Sequence, residues 1–149
     1  MAKTWLAGAD GCKEGWVVVL RESRSGEMLT RVVTDIEEVL RWNEPPAVLC
    51  IDVPIGLLEQ AVRGGRVCDR AARGLLGQPR ARSVFSPPAR AALAARNYTE
   101  ALRLNRASAA GAPGISRQCY GILPKIKEVD SLMTPSLQER VLEVHPELA

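Results

Sequence analysis

"AVLCIDVPIGL" (residues 47–57) is an apolar run of the kind needed by a strand buried on both faces, yet it closes on Asp52 and is stopped by Pro54. An upstream stretch repeats the pattern. In "WLAGADGCKEGWVVVL" (residues 5–20), Asp10 closes another apolar segment just before a glycine. One strand ending in aspartate is ordinary turn chemistry. Two of them raise the question of whether they face each other.

The flanking sequence supplies the connections. Residues 5–10 and 16–21 read as two strands of a hairpin with the glycines of "GCKEG" in its turn, and "MLTRVV" (28–33) reads as a third antiparallel strand. Thr34 or Asp35, with Glu37 or Glu38 three residues later, opens a short helix over about 35–42. The order is β-β-β-α-β. A helical crossover lets the fourth strand (47–52) lie parallel to the first, and short strands joined this way usually neighbour each other.

Beyond Pro54 the texture becomes helical. Residues 66–76 place Cys68, Ala71, Ala72, Leu75 and Leu76 on one side, with Gly77 as the stop. Ser86 as cap and Pro87 at the first position open a helix to about Arg96, and Thr99 caps another to about Ala109. After "GAPG" (111–114), Cys119, Ile122, Ile126, Val129 and Met133 recur at helical spacing, with a bend at Pro124. "RVLEVHPE" (140–147) then returns as a fifth strand ended by Pro146. The expected class is α/β: one domain, a mixed sheet with β4 and β5 parallel to β1, and a helical insertion over about 58–135.

A chain of 149 residues can bury one sizeable core. No apolar stretch approaches the roughly 20 residues of a membrane span, and the start lacks a secretory h-region, so a cytoplasmic protein with no membrane partner is expected. Four scattered cysteines (12, 50, 68, 119) without a C-x-x-C pair suit reduced thiols better than a zinc site or disulfide framework. Trp5, Trp16 and Trp42 are expected in the core, and His145, the one histidine, packed and hydrogen-bonded.

Charge is uneven along the chain. Residues 60–110 hold ten arginines against Asp69 and Glu100, while the remainder carries ten basic and fifteen acidic residues. Such polarity fits a basic surface meeting a polyanion, although arginine outnumbers lysine 16 to 4, as a GC-rich genome would also produce. Arg66, Arg70 and Arg73 form one helical stripe, either contacting phosphate or laddered with Asp69. Arg80 and Arg82 are further phosphate-contact candidates.

If β1, β4 and β5 run parallel, Asp10, Asp52 and Glu147 emerge at one sheet edge. Three such carboxylates repel one another unless a hard cation neutralises them, and Mg²⁺ or Mn²⁺ with oxygen ligands suits that role.

The strings "GADGCKEGW", "CIDVPIGL", "RVCDRAARGLLG", "RSVFSPPAR", "QCYGILPKIKEVD" and "RVLEVHPEL" resemble, in order, the successive motifs of the predicted nucleases catalogued as domain of unknown function 429. The resemblance implies a ribonuclease H-like sheet, with Asp10, Asp52 and Glu147 at the family's acidic positions as catalytic and metal-binding residues, and adds Lys125 to the phosphate-contact candidates. It implies hydrolysis of a nucleic acid, DNA or RNA. Members of the family usually continue beyond "HPE" through a helix bearing another acid. The expectation is therefore a C-terminally incomplete domain, with one sheet face uncovered and a homo-oligomer possible. Two other readings stand beside it: a non-catalytic nucleic-acid or protein-binding module on the same fold, and an ATP-phosphate binder akin to actin and sugar kinases, suggested by "GADGCKEGW".

Overall fold

The computed structural model describes residues 3–148, which form two compact units. The first comprises the residues up to Ile55 together with Glu128–Val144, and the second comprises Gly56–Lys127 with the residues from His145 on.

The first unit is built on strands β1 (Trp5–Cys12), β2 (Gly15–Glu22), β3 (Met28–Val33), β4 (Val48–Ile51) and β5 (Val141–Glu143), in the order β3-β2-β1-β4-β5. β1, β2 and β3 pair antiparallel, β4 lies parallel to β1, and β5 lies parallel to β4. This is the mixed arrangement expected from the sequence. Burial alternates along the strands: Trp5, Ala7 and Ala9 of β1 and Trp16, Val18 and Leu20 of β2 are buried. Leu49 and Ile51 of β4 and Val141 of β5 share that face by register. Ile36 and Val39 of helix α1 (Ile36–Leu40) complete this core with Val129. The Glu128 carboxylate fastens the layers, accepting from the Trp16 indole N–H at 2.9 Å and from the Ile36 backbone N–H at 2.6 Å.

Two of the differences from the expected strand bounds bear on the acidic residues. β1 continues past Asp10 to Cys12, so Asp10 sits inside the hairpin ladder opposite Val17, and only Lys13 and Glu14 form the loop. Gly15 permits that tight hairpin. Its φ is +139°, and a Cβ there would lie 2.0 Å from the Val33 carbonyl oxygen. β5 stops at Glu143, short of the expected Glu147, and Pro146 opens a 3₁₀ turn over Pro146–Leu148. Of the two candidate caps for α1, Asp35 is the one used; its side chain accepts from the Glu38 N–H at 3.1 Å.

The second unit holds helices α2 (Val67–Leu76), α3 (Tyr98–Ala107) and α4 (Arg117–Gly121), the first half of α5 (Leu123–Leu132), and 3₁₀ turns at Arg80–Ser83 and Arg90–Ala94. Its core mixes small residues (Ala81, Ala89, Ala92, Ala101 and Cys119) with larger aliphatic ones (Leu57, Leu76, Ile115, Leu123 and Ile126), all buried. The helix expected over 86–96 shrinks to the second 3₁₀ turn. Pro87 and Pro88 offer no N–H, and the Ala89 N–H is given to Asn105 Oδ1 at 2.7 Å. Asn97 displaces Thr99 as the cap of α3, accepting from the Glu100 N–H at 2.9 Å. Pro124 does not bend one long helix; it stands in the first turn of α5, where its missing N–H costs nothing, and α4 ends before it.

α2 reverses the expected amphipathicity. Leu76 is buried, but Leu75 is 79% and Val67 75% exposed, and Cys68 is exposed as well. The side turned inward is polar, with Arg66 and Asp69 both buried.

Candidate functional site

The parallel ladder between β1 and β4 decides where the two aspartates stand. Ala9 pairs with Ile51, and the Asp52 N–H donates to the Ala9 carbonyl at 3.2 Å, extending the ladder by one residue. Asp10 and Asp52 are thus the next neighbours in register. Strand spacing puts such neighbours about 5 Å apart with side chains on one face. That face is opposite to Ala9 and Ile51, so Asp10 is exposed and Asp52 half-buried. The sequence placed these two acids at strand ends; the structure brings them side by side for a simpler reason, the register of parallel neighbours.

The turn after Asp52 is braced from β5. Glu143, in register with Ile51, accepts the Ile55 N–H at 2.8 Å through Oε2. Sequence reasoning passed over this carboxylate. Alternation from Ile51 points it away from Asp52, and its role is to hold the "VPI" segment rather than to join the pair.

Glu147, the third expected acid, lies in the second unit within the C-terminal 3₁₀ turn, where Ser83 Oγ donates to its Oε2 at 3.0 Å. His145 Nε2 is 3.5 Å from the same hydroxyl, and its Nδ1 is buried without a partner among the described residues. The histidine is packed as expected but only half satisfied. Among the described residues no group of three His, Cys, Asp or Glu side chains is placed to hold a metal ion.

The arginine candidates divide sharply. Arg66 and Asp69 form a buried bidentate pair, with Nη2 to Oδ1 at 2.6 Å and Nε to Oδ2 at 3.1 Å. Arg73 spends its fork on three acceptors: the Val84 carbonyl (2.8 Å), the Gly64 carbonyl (2.6 Å) and Ser86 Oγ (2.9 Å). Both guanidinium groups make structural bonds: Arg66 takes the ladder alternative with Asp69, and Arg73 braces the loops before and after α2. Arg70 donates to the Gly65 carbonyl at 2.5 Å while its residue remains exposed. Arg80 and Arg82 are exposed on the first 3₁₀ turn, and Lys125 is half-buried on α5. Gly65 is fixed by this network. A Cβ there would lie 2.6 Å from Asp69 Oδ2 at a φ of +76°.

Other chemistries find less support. Burial pushes the Cys119 thiol up to about 12, which removes it as a thiolate nucleophile. Trp5 and Trp16 are core residues as expected, while Trp42 is half-buried with the Arg31 guanidinium 4.7 Å from its ring centroid. No helix among the described residues is long and apolar enough to cross a membrane.

A mixed five-stranded α/β sheet with two carboxylates adjacent on parallel central strands defines the class. The chain belongs to the family described as protein of unknown function (DUF429), whose model matches residues 8–149. No curated protein and no solved structure gave a match.

Proposed function

We propose that this protein is a divalent-metal-dependent nuclease with a ribonuclease H-like fold, hydrolysing phosphodiester bonds of a nucleic acid. The observation that carries the reading is the adjacency of Asp10 and Asp52 on parallel β1 and β4. The donor set fits a hard cation: Mg²⁺ is commonly held by one or two carboxylates, with waters and substrate phosphate oxygens completing the shell. Asp10 and Asp52 would hold Mg²⁺ or Mn²⁺. When bound, such an ion supplies Lewis-acid polarisation of the phosphoryl group and lowers the pKa of attacking water.

The chain's own residues do the rest. The Asp52 backbone, hydrogen-bonded to Ala9, fixes its carboxylate beside Asp10, and Glu143 keeps the following turn from drifting. Arg80 and Arg82, exposed on their 3₁₀ turn, are the cations that suit phosphate oxygens, with Arg70 and Lys125 as secondary candidates.

The test is a cleavage assay on DNA and RNA, single-stranded and branched, with Mg²⁺, Mn²⁺ or chelator. Metal-dependent cleavage that falls at least about a hundredfold in Asp10→Asn and in Asp52→Asn is the expected result. Binding of nucleic acid that persists in both variants, without cleavage under any metal, would instead establish a binding module. Thermal protection by Mg-ATP alone would favour the phosphate-binding alternative.

A further inference from the structure

We propose that a groove on the core-facing side of the sheet unit binds a mononucleotide, with Arg31 and Arg41 on its phosphate and Trp42 and Glu44 on its base. The groove holds about 910 Å³, in the range of small-molecule sites, and its whole lining lies between Lys3 and Glu44. Its floor includes Trp5 and Leu20, which share the buried side of β1 and β2 with Ala9 and Val18. That is the side opposite Asp10. The groove is open because its cover is short: α1 rises about 7.5 Å, whereas β2 runs about 26 Å. Leu29, paired with buried Leu20 on the same side, is thereby left 38% exposed.

The polar groups of the lining identify the occupant. The Arg31 guanidinium lies 4.7 Å from the Trp42 ring centroid and makes no hydrogen bond or ion pair among the described residues. The indole thus orients a planar fork whose donors are unspent, which suits an oxyanion. Arg41, next after α1, gives only Nη2, to Glu37, and keeps its other donors. Glu44 has no hydrogen bond among the described residues, whereas Lys3 is paired with Glu27 at 2.6 Å. An unpaired carboxylate calls for an N–H donor, and the indole with Leu20 and Leu29 calls for a flat apolar surface. A nucleotide carries all three features: phosphate, planar ring and ring-edge donors. Three cations (Lys3, Arg31, Arg41) stand against two acids (Glu27, Glu44), a near balance that suits one phosphate. A polynucleotide would bring further phosphates against the acids. Because Glu44 accepts, bases with an exocyclic amino group are favoured; guanine, offering two adjacent N–H donors, ranks first and uracil last.

Isothermal titration of the full chain in chelator, with GMP, UMP, guanosine and inorganic phosphate as separate probes, tests this. No cleavage is involved, so the outcome is independent of the nuclease reading. GMP is expected to bind with a Kd below about 1 mM and to change the indole fluorescence. It should bind at least about tenfold tighter than guanosine or phosphate alone, and several-fold tighter than UMP. Arg31→Gln should weaken GMP binding about tenfold or more, and Glu44→Gln should narrow the gap between GMP and UMP. Both side chains are exposed, so folding is not at stake. Absence of binding at about 10 mM GMP overturns the proposal. So does phosphate binding as tightly as GMP, affinity indifferent to Arg31→Gln, or an oligonucleotide that binds where GMP does not.

Discussion

The two units of this chain differ in how much buried polar structure they carry. The sheet unit has an aliphatic and indole core, with Trp16, Val18, Leu49 and Ile51 at or below 1% exposure, and it keeps charge at its margins. The helical unit buries alanines beside Leu57, Leu76, Ile115, Leu123 and Ile126, and it also runs polar groups through its interior. Arg66 and Asp69 pair inside it, Arg73 bridges three acceptors, and Asn105 links the Ala89 N–H to the Pro113 carbonyl. Apolar burial is non-directional, so the sheet unit tolerates exchange among shapes of similar volume. A hydrogen-bonded core is directional, and removing one partner leaves the other desolvated and unpaired.

The largest consequence falls on that buried pair. Asp69→Ala is expected to destabilise the helical unit by about 3–5 kcal/mol, because Arg66 keeps a buried charge without its partner. Replacing both residues together by Met and Leu should cost far less, and chemical denaturation of the two variants side by side checks this. If the single and double changes cost the same, the pair is not what distinguishes this unit.

A medium effect is expected at the margin of the sheet unit. The Glu22 carboxylate accepts from the Ser25 N–H (2.6 Å) and hydroxyl (2.8 Å), and from the Arg24 and Thr4 N–H groups, which together close the β2–β3 turn. The Ser25 bonds lead in holding its pKa down at about 2, against an ordinary value of 4.5. Because the folded-state value is the lower one, this stabilisation is complete above about pH 4.5 and is lost as the pH falls toward 2. The melting temperature should therefore decline across that window in the wild type, and the decline should be shallower in Glu22→Gln.

The smallest effect belongs to α2. Leu75→Ala, at a position 79% exposed, should change stability by no more than about 0.5 kcal/mol. A loss several times larger would restore the ordinary amphipathic reading of that helix and erase the contrast between the units.

The same contrast explains what could be read in advance. Residues 16–20 and 48–51 have strand character whatever they meet, because β-branched and aliphatic runs have few other stable uses. Asp35 opens α1 and Gly77 ends α2 through local chemistry alone. The inward face of α2 was not legible: its leucines and alanines gave a helical stripe, but Asp69 found a bidentate partner in Arg66 and Arg73 found three acceptors, two of them in distant loops. Glu143 was hidden for a similar reason, since its partner is a backbone N–H 88 residues away.

The sequence by itself determined the antiparallel hairpin strands, the crossover that makes β4 parallel to β1, and the presence of an acid late in each of those two apolar runs. These follow from periodicity and turn chemistry, which act over a few residues. Only tertiary structure decided that Asp10 and Asp52 are register neighbours, that Glu147 is held by Ser83, and that two of the arginines are structural. The physical reason is that a polar side chain's role depends on which partner reaches it within about 3 Å, and that is fixed by packing rather than by local pattern.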